Sequence, residues 1–324
     1  MSGSSLPSGA SEEYARNGLT AVTLATGRTA AIILHHGPPA VTANAIRSIL
    51  KSTVPVKVIV VNNGRLGDIE AIEKLARCSE RLSYLGAGIN LGFAAGVNLG
   101  IDQALATDVG RVLLLNNDAA VEPNTLELLI SVAERQPDFG ILAPIIFFAG
   151  QANRVWSAGL RLRRGTFWTD FVPVSASNSV SVVDVDAVTG AAMLVTRATI
   201  DRVGLFDERY FMYFEDVDYC VRAKNAGFRV GVVGGATAYH LIGPQPRLAD
   251  SSRVYRWSRS RAVFYTRLAG SRWGGLLAIR LIAGCLAFGW NCIRRGDPVS
   301  FARYVRATID GWRTAFNTGD HWTT

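Results

Sequence analysis

The 324-residue sequence predicts an α/β fold: a mostly parallel central sheet with flanking helices, followed by a helical C-terminal region. Three features carry this expectation. Short β-branched apolar runs recur through the first half, amphipathic segments separate them, and most runs stop at a turn rich in Asn, His or Gly. A strand buried on both faces reads as a continuous apolar run, whereas a strand with one wet face alternates, so these runs imply a sheet covered by helices on both sides.

The first run is Ala30-Ala31-Ile32-Ile33-Leu34, ended by His35-His36-Gly37-Pro38-Pro39, and a helix bearing Ile46, Ile49 and Leu50 follows. Val56 to Val61 is the second run and stops at Asn62-Asn63-Gly64. A helix is expected over roughly Asp68 to Cys78, then a weaker strand at Leu82 to Leu85. Asn90-Leu91-Gly92-Phe93-Ala94-Ala95-Gly96 opens another helix, and Arg111 to Leu115 forms a strand ending in Asn116-Asn117-Asp118. A helix begins near Glu122-Pro123, where proline suits an early helical position, and Ile141 to Phe148 is a further strand. From about Gly150 to Asn178 turns and short hairpins are expected. There Arg161, Arg163 and Arg164 alternate beside Trp156, Phe167 and Trp168, which suits either a binding surface or an ordinary exposed hairpin. Ligands of parallel sheets sit beyond the carboxyl ends of the strands, where Asn62, Asn116 and Asp118 fall.

Composition bounds the class. At 49% hydrophobic and 19% charged residues the chain is globular rather than disordered. Met1 to about Gly27 is Ser/Gly-rich and expected to be poorly ordered, with no secretory pattern. Cys78, Cys220, Cys285 and Cys292 lack metal-ligand spacing and read as reduced cysteines of a cytoplasmic protein. The net charge of +8 belongs to the last quarter: after residue 246 come thirteen Arg, no Lys and four Asp. Such a tail suggests an anionic partner. The expected divisions are a tail over 1–28, a main domain over 29–246 and a basic helical region over 247–324.

That last region reads as three helices. Ser251 to Leu268 is Arg-rich. Gly274 to Ile293 is almost wholly apolar, bracketed by Trp273 and Trp290, with Arg280 near its middle. An arginine there costs about 2.5–3.5 kcal/mol on insertion scales, so a buried or interfacial helix is favoured over a membrane span. The final helix places Phe301, Tyr304, Val305, Thr308, Ile309, Trp312 and Phe316 at helical spacing, with Arg303, Arg306 and Arg313 on other faces. This suits a membrane-surface helix and equally a stripe packed against the rest of the chain.

The chemistry concentrates between Val188 and Gly243. Asp207, Glu208, Glu215, Asp216 and Asp218 crowd together, flanked by Phe206, Tyr210, Phe211, Tyr213 and Phe214, and His240 ends the next apolar run. By itself the cluster is a well-capped helix, acids first and Arg222 and Lys224 last, stopped by Gly227. Its coincidence with Asp118 and His240, each ending an apolar segment, adds a function. A carboxylate and a histidine from different strands suit a divalent metal, and a second, partly desolvated carboxylate suits a general base. Together they point to metal-assisted transfer chemistry.

The ordered set Asn90-Leu91-Gly92-Phe93, Leu115-Asn116-Asn117-Asp118, Gly190-Ala191, Gly204-Leu205-Phe206-Asp207-Glu208, Phe214-Glu215-Asp216-Val217-Asp218 and Tyr239-His240 resembles glycosyltransferase family 2. The similarity covers roughly Thr29 to Gly243 and is nearest to rhamnosyltransferase-like and galactofuranosyltransferase-like members. It implies a GT-A fold (a Rossmann-like sheet with flanking helices), a nucleotide-diphosphate sugar donor, a divalent cation (Mg2+ or Mn2+) and inversion at the anomeric carbon. It further implies Asp216 as catalytic base, Asp118 and His240 as metal ligands, and His35, Asn62, Asn90, Gly92, Asn116, Asn117 and Asp118 on the donor side. Gly190, Ala191, Glu215 and Asp218 would shape the acceptor side. Three positions depart from the pattern: Asn116 replaces the first acid of the metal motif, Asn62 replaces an aspartate near the nucleotide base, and His35-His36-Gly37 stands where many relatives have Tyr-Asn.

Other classes fit less of the chain. A glycoside hydrolase also pairs carboxylates but gives Asp118 and His240 no role. A decayed nucleotide-sugar-binding or membrane scaffold protein would explain Asn62 and Asn116, not the intact Asp118, Asp216 and His240. The basic, Trp-bearing helices suit anionic lipid, and no nucleic acid partner is expected. The reading is therefore a rhamnosyl-type glycosyltransferase of surface polysaccharide synthesis. It would be peripheral on the inner membrane face and act on a glycan or lipid-linked acceptor.

Overall fold

A computed structural model describes residues 28–64, 70, 72, 74, 79–163, 168–172, 181–241, 251–269 and 274–316. The expected N-terminal tail lies outside these residues, as does most of the expected helix at 68–78. In chain order the elements are β1 (Arg28–His35), α1 (Pro39–Leu50), β2 (Lys57–Asn62), β3 (Leu82–Gly86), α2 (Phe93–Leu105), β4 (Val109–Asn116), β5 (Ala119–Val121), α3 (Thr125–Arg135), β6 (Phe139–Phe148) and β7 (Gln151–Ser157). They continue with β8 (Leu160–Arg163), β9 (Trp168–Phe171), β10 (Val182–Val185), β11 (Ala192–Thr196), α4 (Arg197–Val203), α5 (Glu215–Asn225), β12 (Arg229–His240), α6 (Ser251–Ala269), α7 (Gly274–Arg295) and α8 (Pro298–Phe316).

The main sheet runs β10-β12-β6-β11-β4-β1-β2-β3. β4, β1, β2 and β3 are parallel neighbours, and β12 is parallel to β6. β11 runs against both β4 and β6, and β10 against β12. The alternation of burial follows the pleat: Ile32 and Leu34 enter one core, Ala31 and Ile33 the other. Both faces are dry, which is why these strands read as unbroken apolar runs. α2 and α5 contribute to the first core, and α1 and α3 to the second.

Two local features carry functional groups to one place. β5 turns back after β4 and pairs antiparallel with the end of β12, with His240 opposite Ala119. The register of β12 against β6 shifts between Val233 and Thr237, a bulge that re-aims the last four residues of the strand.

The C-terminal helices are not a separate body. α6 places Val263, Phe264 and Tyr265 in the first core, so residue 246 is no break in packing. Arg267 of α6, only 4% exposed, reaches Asp207 and Asp218. α8 lies so close along α6 that a Cβ at Gly311 would stand 2.3 Å from the Arg259 carbonyl oxygen.

Of the two expectations for α7, a buried or an interfacial helix, its exposure fits the second. Ile279, Ile282, Leu286, Trp290 and Ile293, spaced three and four apart, all point outward, and Ile293 is 72% exposed. The stretch Gly275–Arg294 is long and apolar enough to cross a membrane, with only 17% of it buried. The apolar stripe of α8 is divided: Tyr304 packs inward, whereas Ile309, Trp312 and Phe316 remain exposed.

Candidate active site

The strand ends β1, β2 and β4 form the floor of one edge. His35 is fully buried and pairs through Nδ1 with Thr42 Oγ1 at 2.7 Å. The Asn117 amide donates to the same Thr42 hydroxyl and to the His36 carbonyl oxygen. His35, expected on the donor side, thus supports the loop from beneath. Asn62, also expected on the donor side, is only 1% exposed, accepts from the Gly64 amide and shapes the turn.

Asn63 was not singled out in the sequence, yet it organises this edge. Its amide donates to the Gly92 carbonyl at 2.8 Å and to Asn90 Oδ1, while its own Oδ1 accepts from Leu91. Asn90 Oδ1 also accepts from the Gly92 amide. Gly92 has φ +85°, and a Cβ there would stand 2.4 Å from the Phe211 carbonyl oxygen. The following amide, on Phe93, donates to that oxygen. Only glycine lets the start of α2 meet the 206–214 loop this closely.

Beside this edge lies a cleft of about 700 Å³, walled by Asn116, Asp118, Gly190, Ala191, Glu215, Asp216 and His240 among others. His240 Nε2 lies 3.0 Å from Asp118 Oδ1, and its ring stacks on Trp156 with centroids 4.5 Å apart. The Leu241 amide donates to the Asp118 carbonyl, locking the two loop ends together. Asn116 is 3.5 Å from the same imidazole nitrogen. Neighbouring ligands bonded at about 2.1 Å in an octahedral shell stand roughly 3.0 Å apart, so this pair fits two adjacent positions of a hard divalent cation. Among the described residues no set of three His, Cys, Asp or Glu converges to hold a metal. A cation here would therefore complete its shell from water and a bound ligand.

Asp216, the second residue of α5, lines the same cleft. The Gly190 amide donates to its Oδ2 at 2.9 Å and the Val217 amide to its Oδ1 at 2.8 Å. Burial pushes its carboxyl above the ordinary aspartate range, against the pull of those amides. Glu215 beside it is 5% exposed, and its Oε2 has no hydrogen-bond partner among the described residues. Burial, reinforced by the neighbouring Asp216 charge, raises its carboxyl well above the usual range. Before them Tyr213 and Phe214 take φ of 72° and 67°, a left-handed pair that non-glycine residues rarely adopt outside functional sites. The pair is held by α6, whose Ser260 donates to the Met212 carbonyl and whose Phe264 stacks on Phe214.

Asp218, expected on the acceptor side, lies in the core. It is fully buried and bonded to Tyr210 Oη and Arg222, with Arg267 at 3.8 Å. One turn of helix after Asp216's neighbour Glu215, it points into the core instead of the cleft, where it anchors α5. Asp207 joins the same network. Burial pushes its carboxyl up, but Arg209 and Arg267 outweigh this and hold it below the ordinary range. The expected arginine surface on the hairpin is also tied down: Arg161 donates to the Asp184 carbonyl, and Arg163 pairs with Asp170. Arg164 and Phe167 lie outside the described residues.

Residues 27–260 match the family described as "Glycosyltransferase like family 2". The chain belongs to glycosyltransferase family 2. The glycosyltransferase is 31% identical over 206 residues to the N-acetylglucosaminyl-diphospho-decaprenol L-rhamnosyltransferase of Mycobacterium tuberculosis, covering 57% of this chain and 66% of that relative. It therefore spans just under two thirds of the relative's length. It is 27% identical to galactofuranosyltransferase GlfT1 of the same organism, over 88% of this chain and 96% of the relative. The fold resembles the mannosyltransferase PcManGT of Pyrobaculum calidifontis, solved with GDP-Man and Mn2+, at a TM-score of 0.56 and 15% identity, covering 90% and 89% of the two chains. The GT-A fold and the family expected from the sequence are thereby established.

Proposed function

We propose that this glycosyltransferase moves a rhamnose-like deoxyhexose from a nucleotide-diphosphate donor to a hydroxyl of a lipid-linked or growing glycan, by metal-dependent inverting displacement. One observation carries the reading: a metal-competent Asp118–His240 pair and an isolated, amide-held Asp216 open on the same cleft. A divalent cation held by Asp118 and His240 supplies Lewis acidity toward a leaving diphosphate. Asp216, raised by burial, takes the acceptor proton, and its two amide bonds fix the oxygen lone pairs that receive it. Glu215, whose carboxyl is raised well above its usual range by burial and by the Asp216 charge, lies beside that base.

Rhamnose is favoured by the mycobacterial rhamnosyltransferase relative, whose name also specifies a diphosphate-linked polyprenyl sugar. The second donor considered is a galactofuranosyl nucleotide, because the alignment with GlfT1 continues through most of the chain. The exposed apolar face of α7 and α8, with Arg294, Arg303 and Arg306 exposed around it, supports work at the inner face of an anionic membrane.

The test is thermal stability of the purified chain with deoxythymidine, uridine or guanosine diphosphate, each with and without Mn2+. A ligand bound by the folded state raises stability as RT ln(1 + [L]/Kd). A Mn2+-dependent rise with deoxythymidine diphosphate is expected; a rise with uridine diphosphate alone selects the galactofuranosyl donor, and no rise with any of the three contradicts the reading.

A further inference from the structure

We infer that the junction of α6 with the 206–214 loop holds a second ligand site, outside the cleft, that takes a phosphate ester. A cavity of about 280 Å³ opens there between Arg209 and Phe211 of the loop and Tyr255, Arg256 and Arg259 of α6. It shares no lining residue with the cleft that holds Asp216, and the inference does not depend on the donor or acceptor of the proposed transfer. The charges on its wall do not cancel. Arg209 is answered by Asp207, to which it donates from both Nε and Nη2. Among the described residues neither Arg256 nor Arg259 pairs with a carboxylate: Arg256 donates to Ser252 Oγ, and Arg259 to the Arg209 carbonyl and Thr314 Oγ1. Glu208, the acid on the wall, accepts from Asn98. Two guanidinium charges therefore face one carboxylate.

Arg256 supplies the second observation. Its Nε is buried without a hydrogen-bond partner among the described residues, and its guanidinium carbon lies 6.0 Å from the centre of the Phe211 ring. A buried charged donor without an acceptor is costly. Water would satisfy the N–H alone; an anion also answers the surplus charge. Arg256 and Arg259 are three apart on one helix face, and the planar fork of arginine suits phosphate oxygens. The volume falls just short of the roughly 300–1,000 Å³ of pockets for drug-sized molecules, which suits a phosphate with a small substituent. Phe211 and Tyr255 give that substituent an aromatic wall. The same wall already ties the loop down, since Ser260 donates to the Met212 carbonyl just before the left-handed pair Tyr213 and Phe214. A phosphate bound between Arg209 and Arg256 therefore adds a bridge between α6 and the loop that leads into Asp216.

The experiment is calorimetric titration of the full chain with glycerol phosphate and with inorganic phosphate, in EDTA and without nucleotide. Wild type is expected to bind glycerol phosphate more tightly than inorganic phosphate. Arg256→Gln should weaken glycerol phosphate at least tenfold. Glu208→Gln, which keeps an acceptor for Asn98 and removes the opposing charge, should tighten it at least twofold. Arg253→Gln, which removes a charge from the cleft wall on the same helix, should change it less than twofold. No binding by wild type would overturn the site, as would a loss in Arg253→Gln equal to that in Arg256→Gln. Melting curves of each variant separate misfolding from lost contacts, and the gain in Glu208→Gln is one that unfolding cannot produce. Sedimentation with phosphatidylglycerol vesicles then distinguishes the source of the phosphate. Weaker sedimentation of Arg256→Gln than of wild type, with glycerol phosphate competing, assigns the site to a lipid headgroup. Equal sedimentation, with the calorimetric difference intact, assigns it to a free phosphate ester.

Discussion

Asp216→Asn separates chemistry from structure because the two effects differ greatly in size. In the native site two backbone amides donate to the carboxylate, from Gly190 at 2.9 Å and Val217 at 2.8 Å. Asparagine keeps one acceptor oxygen, so one of these amides loses its partner, at a cost of about 1 kcal/mol. The opposing term is the burial that raises the Asp216 carboxyl; a neutral amide removes it. The net change in stability should lie within about 1–2 kcal/mol, a few degrees in Tm for a chain of this size. Loss of a general base lowers turnover by about 10²–10⁴-fold, equivalent to roughly 3–5 kcal/mol. The assay is the initial rate of nucleotide release with donor and acceptor saturating, followed across pH. The base works deprotonated, so wild-type activity should fall on the acid side, with its limb above the ordinary aspartate value of 3.8. The variant should lose both rate and limb while still binding nucleotide. A rate within tenfold of wild type, or a loss matched by unfolding, would refute the assignment.

Other outcomes follow from the packing. Arg267→Met leaves Asp207 and the fully buried Asp218 short of their shared cation, which should cost about 3–5 kcal/mol and lower Tm by roughly 4–7 °C, read by calorimetry. Glu215→Gln should raise stability at pH 8 and leave it unchanged at pH 4. The folded carboxyl is raised, so it is protonated in both states below its ordinary value of 4.5, and its cost appears as pH rises from there. Melting curves at the two pH values check the sign. Replacing exposed Ile282 and Leu286 together with glutamine should weaken sedimentation with anionic vesicles roughly hundredfold, at about 1.5 kcal/mol per side chain, without lowering Tm. Unchanged vesicle binding would show that this face does not meet lipid.

Much of the fold was legible because both faces of the sheet are dry. Ile32 and Ile33 serve opposite cores, as a short apolar run does in a sheet covered on both faces. Asp118 and His240 were legible as ends of apolar segments, and the β5–β12 pairing brings them together. Their register was not readable, since it depends on a bulge at residues 233–237. The burial of Asp218 was not readable because an acid in a first helical turn satisfies the dipole wherever it points; its partner Arg267 lies 49 positions away, on α6. Asn63 was hidden in an Asn-Asn-Gly turn, where the obvious signal was the turn itself. α7 carried the opposite lesson. Arg280 argued for burial or an interface, and packing decides between them: the helix leaves its apolar side exposed because α6 and α8 pack mainly on each other.

The central claim is a division of labour across one cleft: Asp118 and His240 hold the cation, and Asp216 handles the proton. Titration of Mn2+ into the full chain by electron paramagnetic resonance, with the stabilising nucleoside diphosphate present, tests it directly. Wild type and Asp216→Asn should bind one Mn2+ with similar affinity, while Asp118→Asn and His240→Ala weaken it at least tenfold. Equal binding by all four proteins, or loss in Asp216→Asn as severe as in Asp118→Asn, would contradict the account.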